Sequence, residues 1–212
     1  MWKRFSTSDV ERNLGGTPTA LRGREDGMHQ PHRKQVKHFD GGREARSLTF
    51  SCYHRQPFFS KDRACQWKID AIELGRSKHA VHLWAYVIMP DHVHLLIWPT
   101  SDEFKMHRYL STIKQSVSKK ARLFLVREQP DYLRKLGNEF HFWQDGPGYD
   151  RNIDSYSYVW DDIDYLHENP LRKELCSSIG DWHWSSAADY LELRRGPLRI
   201  DFESLPVDPR PR

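Results

Sequence analysis

The sequence predicts an α+β protein: an antiparallel sheet with helices packed on it. Three observations carry that reading. Strand-length apolar runs and helix-length amphipathic runs follow one another in the order β-α-β-β-α-β-α. Two strand-like runs, 80–89 and 92–98, are separated only by Pro90-Asp91, turn chemistry that makes them a hairpin. The chain has 212 residues, room for one medium domain with tails rather than for two domains.

Residues 1–46 hold ten Lys/Arg against six Asp/Glu, so the whole net charge of +4 lies there and the remaining residues sum to zero. With Gly15-Gly16, Gly41-Gly42 and little apolar periodicity, this segment reads as a basic, disordered tail able to touch nucleic acid. From Ser47 to His54, Leu48, Phe50 and Cys52 alternate with polar neighbours, a strand. Lys61 to Leu74 places Ala64, Trp67, Ala71 and Leu74 on one helical side, and Gly75 is expected to stop it. The hairpin follows, and then a second helix, for which Ser101-Asp102-Glu103 offers a cap and an acidic first turn. After a loop near Gln129-Pro130, Phe140 to Gln144 reads as a short strand broken by Gly146-Pro147-Gly148. A last helix runs from about Asp154 to Glu168 and ends at Pro170. This order is that of a ferredoxin-like sandwich over residues 47–190. From Leu191 to Arg212, four prolines among Arg and Asp read as an extended C-terminal tail.

Composition removes several classes. No apolar run approaches the roughly 18 residues of a membrane span, and Met1 to Phe5 lead into no apolar stretch of a secretory signal. Cys52, Cys65 and Cys176 lack C-x-x-C spacing, which argues against a disulfide scaffold or thiolate zinc site and for a reducing cytoplasm. Hydrophobic residues make up only 38%, so the eight Trp, nine Tyr and ten Phe must supply the core volume.

The second helix is unusual in charge. Between Lys105 and Arg127 stand Lys105, Arg108, Lys114, Lys119, Lys120, Arg122 and Arg127, with no acid among them. Met106, Leu110, Ile113, Val117, Ala121 and Phe124 form its apolar stripe, so the polar face is purely basic and suited to phosphates.

His92-Val93-His94 lies inside a strand. A period of two puts both imidazoles on one face with Leu96 and Trp98, while Val93, Leu95 and Ile97 turn to the other. Two neutral imidazoles side by side can chelate a divalent cation, although strand histidines satisfied by hydrogen bonds share the same spacing. On the last helix, Val159, Ile163 and Leu166 form the buried stripe with Tyr156 one turn earlier, and Tyr165 and Asn169 share a neighbouring face at i,i+4. A tyrosine hydroxyl and an amide oxygen brought over the H-x-H strand would give a nucleophile and a third ligand.

At these positions the sequence resembles a known family. Tyr86-Val87-Ile88-Met89-Pro90-Asp91-His92-Val93-His94-Leu95-Leu96 is similar to the HUH motif of single-tyrosine transposases, and Asp164-Tyr165-Leu166-His167-Glu168-Asn169-Pro170 to their nucleophile helix. Phe142-Trp143-Gln144 and Trp182-His183-Trp184-Ser185-Ser186 resemble the branch of REP-associated tyrosine transposases. The resemblance covers roughly residues 47–190. It implies that His92 and His94 bind Mg²⁺ or Mn²⁺, that Asn169 completes the protein ligands, and that Tyr165 is the nucleophile. It further implies cleavage and rejoining of single-stranded DNA at a hairpin, through a covalent 5′-phosphotyrosine. The branch implies a monomer, while other single-tyrosine transposases dimerise. Asp91 stands where the family commonly has Asn, a change expected to alter the turn and not the ligands.

The chemistry is coherent. An ordinary tyrosine, with a pKa of about 10, is ionised in only about one molecule in a thousand at pH 7, so phosphodiester attack needs a cation on the nonbridging oxygens. A phenolate leaves more readily than an alkoxide, which favours strand transfer over hydrolysis. Tyr158, two turns from Tyr165, is the rival nucleophile. Tyr149 with Asp150-Arg151 shapes the site or contacts phosphate, and Trp143, Trp160, Trp182 and Trp184 are read as core. No general base is assigned among His167, Asp161 and Asp162. The basic helix and Arg151 are expected to hold DNA, in the cytoplasm at the nucleoid. A domesticated, non-catalytic DNA-binding protein of the same fold is the alternative. A small-molecule metallohydrolase on an eight-stranded barrel, which needs about 250 residues, fails on size.

Overall fold

The computed structural model describes residues 44–135, 140–146 and 148–210. Most of the segment read as a disordered basic tail therefore lies outside the described residues. Ala45 and Arg46, assigned to that tail, instead open the first strand, β1 (Ala45–Ser51). It is followed by α1 (Asp62–His79), the hairpin β2 (Val81–Ile88) and β3 (His92–Pro99), α2 (Met106–Glu128), a short α3 (Pro130–Lys135), β4 (Tyr149–Ile153) and α4 (Tyr156–Arg172). Among the described residues the sheet has four strands in the order β2-β3-β1-β4, and every neighbouring pair is antiparallel. This is the expected α+β sandwich with helices on the sheet.

The two sheet faces are covered by different helices. Leu48 and Phe50 of β1 and Val93, Leu95 and Ile97 of β3 share one core with Ile69 and Ile72 of α1 and Tyr109, Ile113 and Val117 of α2. On the other face Ala85, Val87 and Leu96 pack with Val159, Ile163 and Leu166 of α4. The alternation read from the sequence thus assigns the faces of β3 as the structure has them.

Several local expectations are corrected. Gly75 does not end α1; it is buried where α1 and α2 cross, and a Cβ there would meet Ile113 Cγ2 at 2.5 Å and Tyr109 Cε2 at 2.8 Å. The helix closes instead at Ala80, left-handed at φ 50°, whose N–H donates to the Arg76 carbonyl. Ser101-Asp102-Glu103 does not cap α2. Those residues form their own turn, with Glu103 N–H donating to Ser101 Oγ at 3.2 Å, and buried Phe104 separates them from a helix that begins at Met106. Phe140–Gln144 contributes a single bridge, Trp143 to Cys52, and the fourth strand is Tyr149–Ile153, read from sequence as loop. Gly148, at φ +87°, lets the chain approach β1 closely, since a Cβ there would lie 2.3 Å from the Thr49 carbonyl oxygen. Pro170 lies inside α4, which runs on to Arg172; the helix closes with Lys173 N–H donating to the Asn169 carbonyl and Leu175 N–H to that of Pro170.

The C-terminal segment is not an extended tail as far as Arg210. Leu198 and Ile200 are buried in the α1/α2-side core, and Asp201 accepts from Arg76 and from the Leu83 N–H, both at 2.8 Å. Two apolar residues and one carboxylate outweigh the proline and arginine content. With Ile88 N–H to the Trp184 carbonyl and Ser186 N–H to that of Tyr86, this part of the chain covers the open edge of β2. Trp143 is buried core, and Trp160, Trp182 and Trp184 pack against the cores as expected. The three cysteines are free, and burial pushes the Cys52 and Cys65 thiols up to about 12. Among the described residues no helix is long and apolar enough to cross a membrane.

Candidate active site

Antiparallel register builds a groove from side chains of one parity. Thr49 pairs with His94 on one side and Tyr149 on the other; Ser51 pairs with His92 and Ser47 with Arg151. Ser47, Thr49, His92, His94 and Arg151 form the floor, and α4 crosses above with Tyr158, Asp161, Asp162, Tyr165 and Asn169. The groove has a volume of about 1080 Å³ and also receives Arg55, Asp91 and Lys173.

The resemblance-implied residues converge here. The His92 and His94 rings lie 4.8 Å apart between centroids, and Tyr165 stands edge-on to His94 at 6.2 Å. Tyr165 is 49% exposed, and the Arg172 guanidinium lies 5.0 Å from its ring centre. Asn169 Nδ2 donates to the Tyr165 carbonyl at 2.9 Å. His94 Nδ1 is 2.7 Å from Thr49 Oγ1, and His92 Nδ1 is 2.5 Å from Asp91 Oδ1.

These bonds bear on whether a cation fits. With both Nδ1 atoms and the Asn169 amide nitrogen engaged, the remaining donor atoms are two imidazole Nε2 and one amide Oδ1, from three residues that line one groove. Burial depresses both imidazoles, His92 against the opposing pull of Asp91 and His94 to about 3, so both are neutral at pH 7, the form that ligates a metal. The residues fit a divalent cation of mixed nitrogen and oxygen preference. Among the described residues no three His, Cys, Asp or Glu side chains cluster as a metal site.

Other tyrosines and acids resolve by position. Tyr158 lines the groove, 54% exposed, and Tyr149 lines its far wall. Tyr156 is not part of the buried stripe: as the first residue of α4 it is 69% exposed. Asp162 is buried and pairs with Arg151 at 3.0 Å; burial pushes its carboxyl above the ordinary range, against the pull of Ser47 and Arg151. Asp161 and Asp164 both pair with Arg210. His167 points away from the groove, its Nε2 2.8 Å from Ser186 Oγ.

The predicted DNA-binding residues divide. Arg151 lines the groove. The cations of α2 do not: their helix covers the opposite sheet face. Lys105, Arg108, Lys119 and Arg122 are exposed there, whereas Lys114 donates to the Gly146 carbonyl at 2.8 Å and Lys120 pairs with Asp70 at 2.6 Å. Sequence reasoning missed Arg55 and Lys173 as groove cations and Thr49 as a histidine partner. It also gave Asp91 a role in the turn only; a carboxylate next to a candidate ligand was the signal available.

Comparison with known proteins adds the following. A family model described as "Transposase IS200 like" matches residues 47–151, a stretch that includes His92 and His94 and ends before α4. The chain is similar to the solved structure of a REP-associated tyrosine transposase bound to a REP hairpin, at 16% identity and a TM-score of 0.55, covering 75% of this chain and 87% of that one. It is also similar to a protein from Deinococcus radiodurans described provisionally as a transposase, at 18% identity and a TM-score of 0.39, covering 59% and 88%. None of the curated proteins matches.

Proposed function

Starting from the match of residues 47–151 to the IS200-like transposase family, we propose that the protein is a metal-dependent transposase and endonuclease of single-stranded DNA, with Tyr165 as its nucleophile. The observation that carries this reading is the placement of the Tyr165 ring 6.2 Å from His94, across a groove whose remaining donor atoms suit one cation. His92, His94 and Asn169 would hold Mg²⁺ or Mn²⁺. The bound ion would stabilise charge on the nonbridging phosphate oxygens.

Tyr165 Oη attacks the phosphorus of a strand lying in the groove. The phenol gives up its proton as the new O–P bond forms, the bond to the 3′-oxygen breaks, and that oxygen takes up a proton and leaves as a hydroxyl. The 5′-phosphate stays on Tyr165 until another 3′-hydroxyl displaces the phenolate and rejoins the DNA. Arg55, Arg151 and Lys173 orient the backbone by charge, and the exposed cations of α2 hold more distant phosphates. One chain can supply all four reacting or ligating residues, so the reading holds for a monomer or a homodimer. The hairpin is the substrate form carried over from the structure described above as bound to one. The protein would act in the cytoplasm at the nucleoid.

The test is a covalent-adduct assay. Labelled single-stranded hairpin DNA and Mn²⁺ are incubated with the protein, and the mixture is denatured and resolved. A protein–DNA band is expected, lost in Tyr165→Phe and on chelation and kept in Tyr158→Phe. Retention of the band in Tyr165→Phe would move the nucleophile. Binding without a band for any hairpin would favour the domesticated, non-catalytic binder.

A further inference from the structure

The two histidines are held by chemically different partners. A carboxylate oxygen has no proton to give, so the 2.5 Å contact between Asp91 Oδ1 and His92 Nδ1 admits one arrangement: Nδ1–H donates and Nε2 carries the lone pair. A hydroxyl both donates and accepts, so the Thr49 Oγ1 contact at 2.7 Å leaves either tautomer open to His94. Asp91 is itself braced, for Arg55 Nη1 donates to its second oxygen at 3.2 Å. The turn beneath it is pinned: Cys52 N–H donates to the Asp91 carbonyl, Phe59 N–H to that of Pro90 and Met89 N–H to that of His92, at 2.8–2.9 Å.

We infer that Asp91 is a positioning residue for the cation site, locking His92 with Nε2 as the donor atom, while Thr49 only orients His94. The inference rests on the metal-dependent reading proposed above. An anionic partner on the far nitrogen also strengthens an imidazole as a ligand, and loss of such a partner typically weakens metal affinity about 10- to 100-fold. The site is therefore asymmetric, with His92 the preset ligand and His94 the adaptable one.

The full-length protein without DNA is titrated with Mn²⁺ and free ion is followed by electron paramagnetic resonance. Asp91→Ala is expected to weaken binding by about 10- to 100-fold. Asp91→Asn, whose amide oxygen can still accept but carries no charge, falls between it and the parent protein, and Thr49→Val costs less than Asp91→Ala. In parallel, long-range ¹H–¹⁵N correlation on the parent protein at pH 7 without metal should find His92 as the Nδ1–H tautomer and find mixed tautomers in Asp91→Ala. Parent-like affinity in Asp91→Ala, or His92 as the Nε2–H tautomer in the parent, overturns the inference. Absence of Mn²⁺ binding by the parent defeats the metal-dependent function instead, and the tautomer measurement still decides the role of Asp91.

Discussion

The two faces of β3 are made by alternate residues of one strand, yet they serve opposite ends. Val93, Leu95 and Ile97 are sealed under α1 and α2, whereas His92 and His94 open onto a groove beneath α4. The sealed side even takes in a cation: Lys68 is fully buried with Nζ 4.3 Å from the Phe50 ring centre, and burial draws its pKa well below the ordinary lysine range. The most basic helix covers that sealed side, with its free charge facing outward, away from the histidines. Periodicity says which residues share a face. A cluster of charge says nothing about which side of the sheet it will occupy.

Substitution can break this comparison cleanly. His94→Ala should abolish the covalent adduct while leaving the fold intact, and Leu95→Ala should do the reverse, lowering stability by about 2–5 kcal/mol in chemical denaturation while the folded fraction still forms adduct. A metal-free pH series sharpens the comparison on the α4 side. Burial holds His167 down to about 4, so its folded pKa lies below its unfolded value near 6.5. The unfolded chain then binds more protons, and stability is complete above pH 6.5 and lost as pH falls toward 4, by about 3 kcal/mol. His167→Gln should flatten that part of the profile in urea melts. The residual slope includes His92 and His94, which burial depresses in the same direction, His94 to about 3.

The smallest effects separate the two cationic surfaces. Removing Arg151 should lower both DNA affinity and the rate of adduct formation from bound DNA. Removing Lys119 or Arg122 should lower affinity alone and reduce the salt slope by about one for each phosphate left without its cation, as measured by fluorescence anisotropy across ionic strengths. Equal effects of the two sets on adduct rate would place the reacting strand elsewhere.

How far the molecule could be read from its sequence follows the same division. Strand alternation around His92, and the i,i+4 spacing of Tyr165 and Asn169, are local properties, and the structure places those residues as that spacing predicts. β4 escaped notice because Tyr149-Asp150-Arg151-Asn152-Ile153 is an edge strand paired on one side only, and its polar residues lack an apolar alternation. Gly75 was misread because its role is a close approach to Tyr109 and Ile113 of another helix, invisible along the chain. Leu198 and Ile200 were hidden among prolines and arginines, although two apolar side chains suffice to dock a segment on the core. The bond between Asp91 and its neighbour His92 depends on side-chain orientation within a turn, which spacing does not encode.

The central claim is that one phenol, on Tyr165, becomes bonded to DNA. Mass spectrometry of the trapped adduct, after nuclease and protease digestion, tests it most directly, because Tyr156, Tyr158 and Tyr165 lie on one tryptic peptide between Arg151 and Arg172 and must be told apart by fragmentation. The nucleotide mass is expected on Tyr165. Its assignment to Tyr158, or to Tyr149 in a separate peptide, would contradict the account.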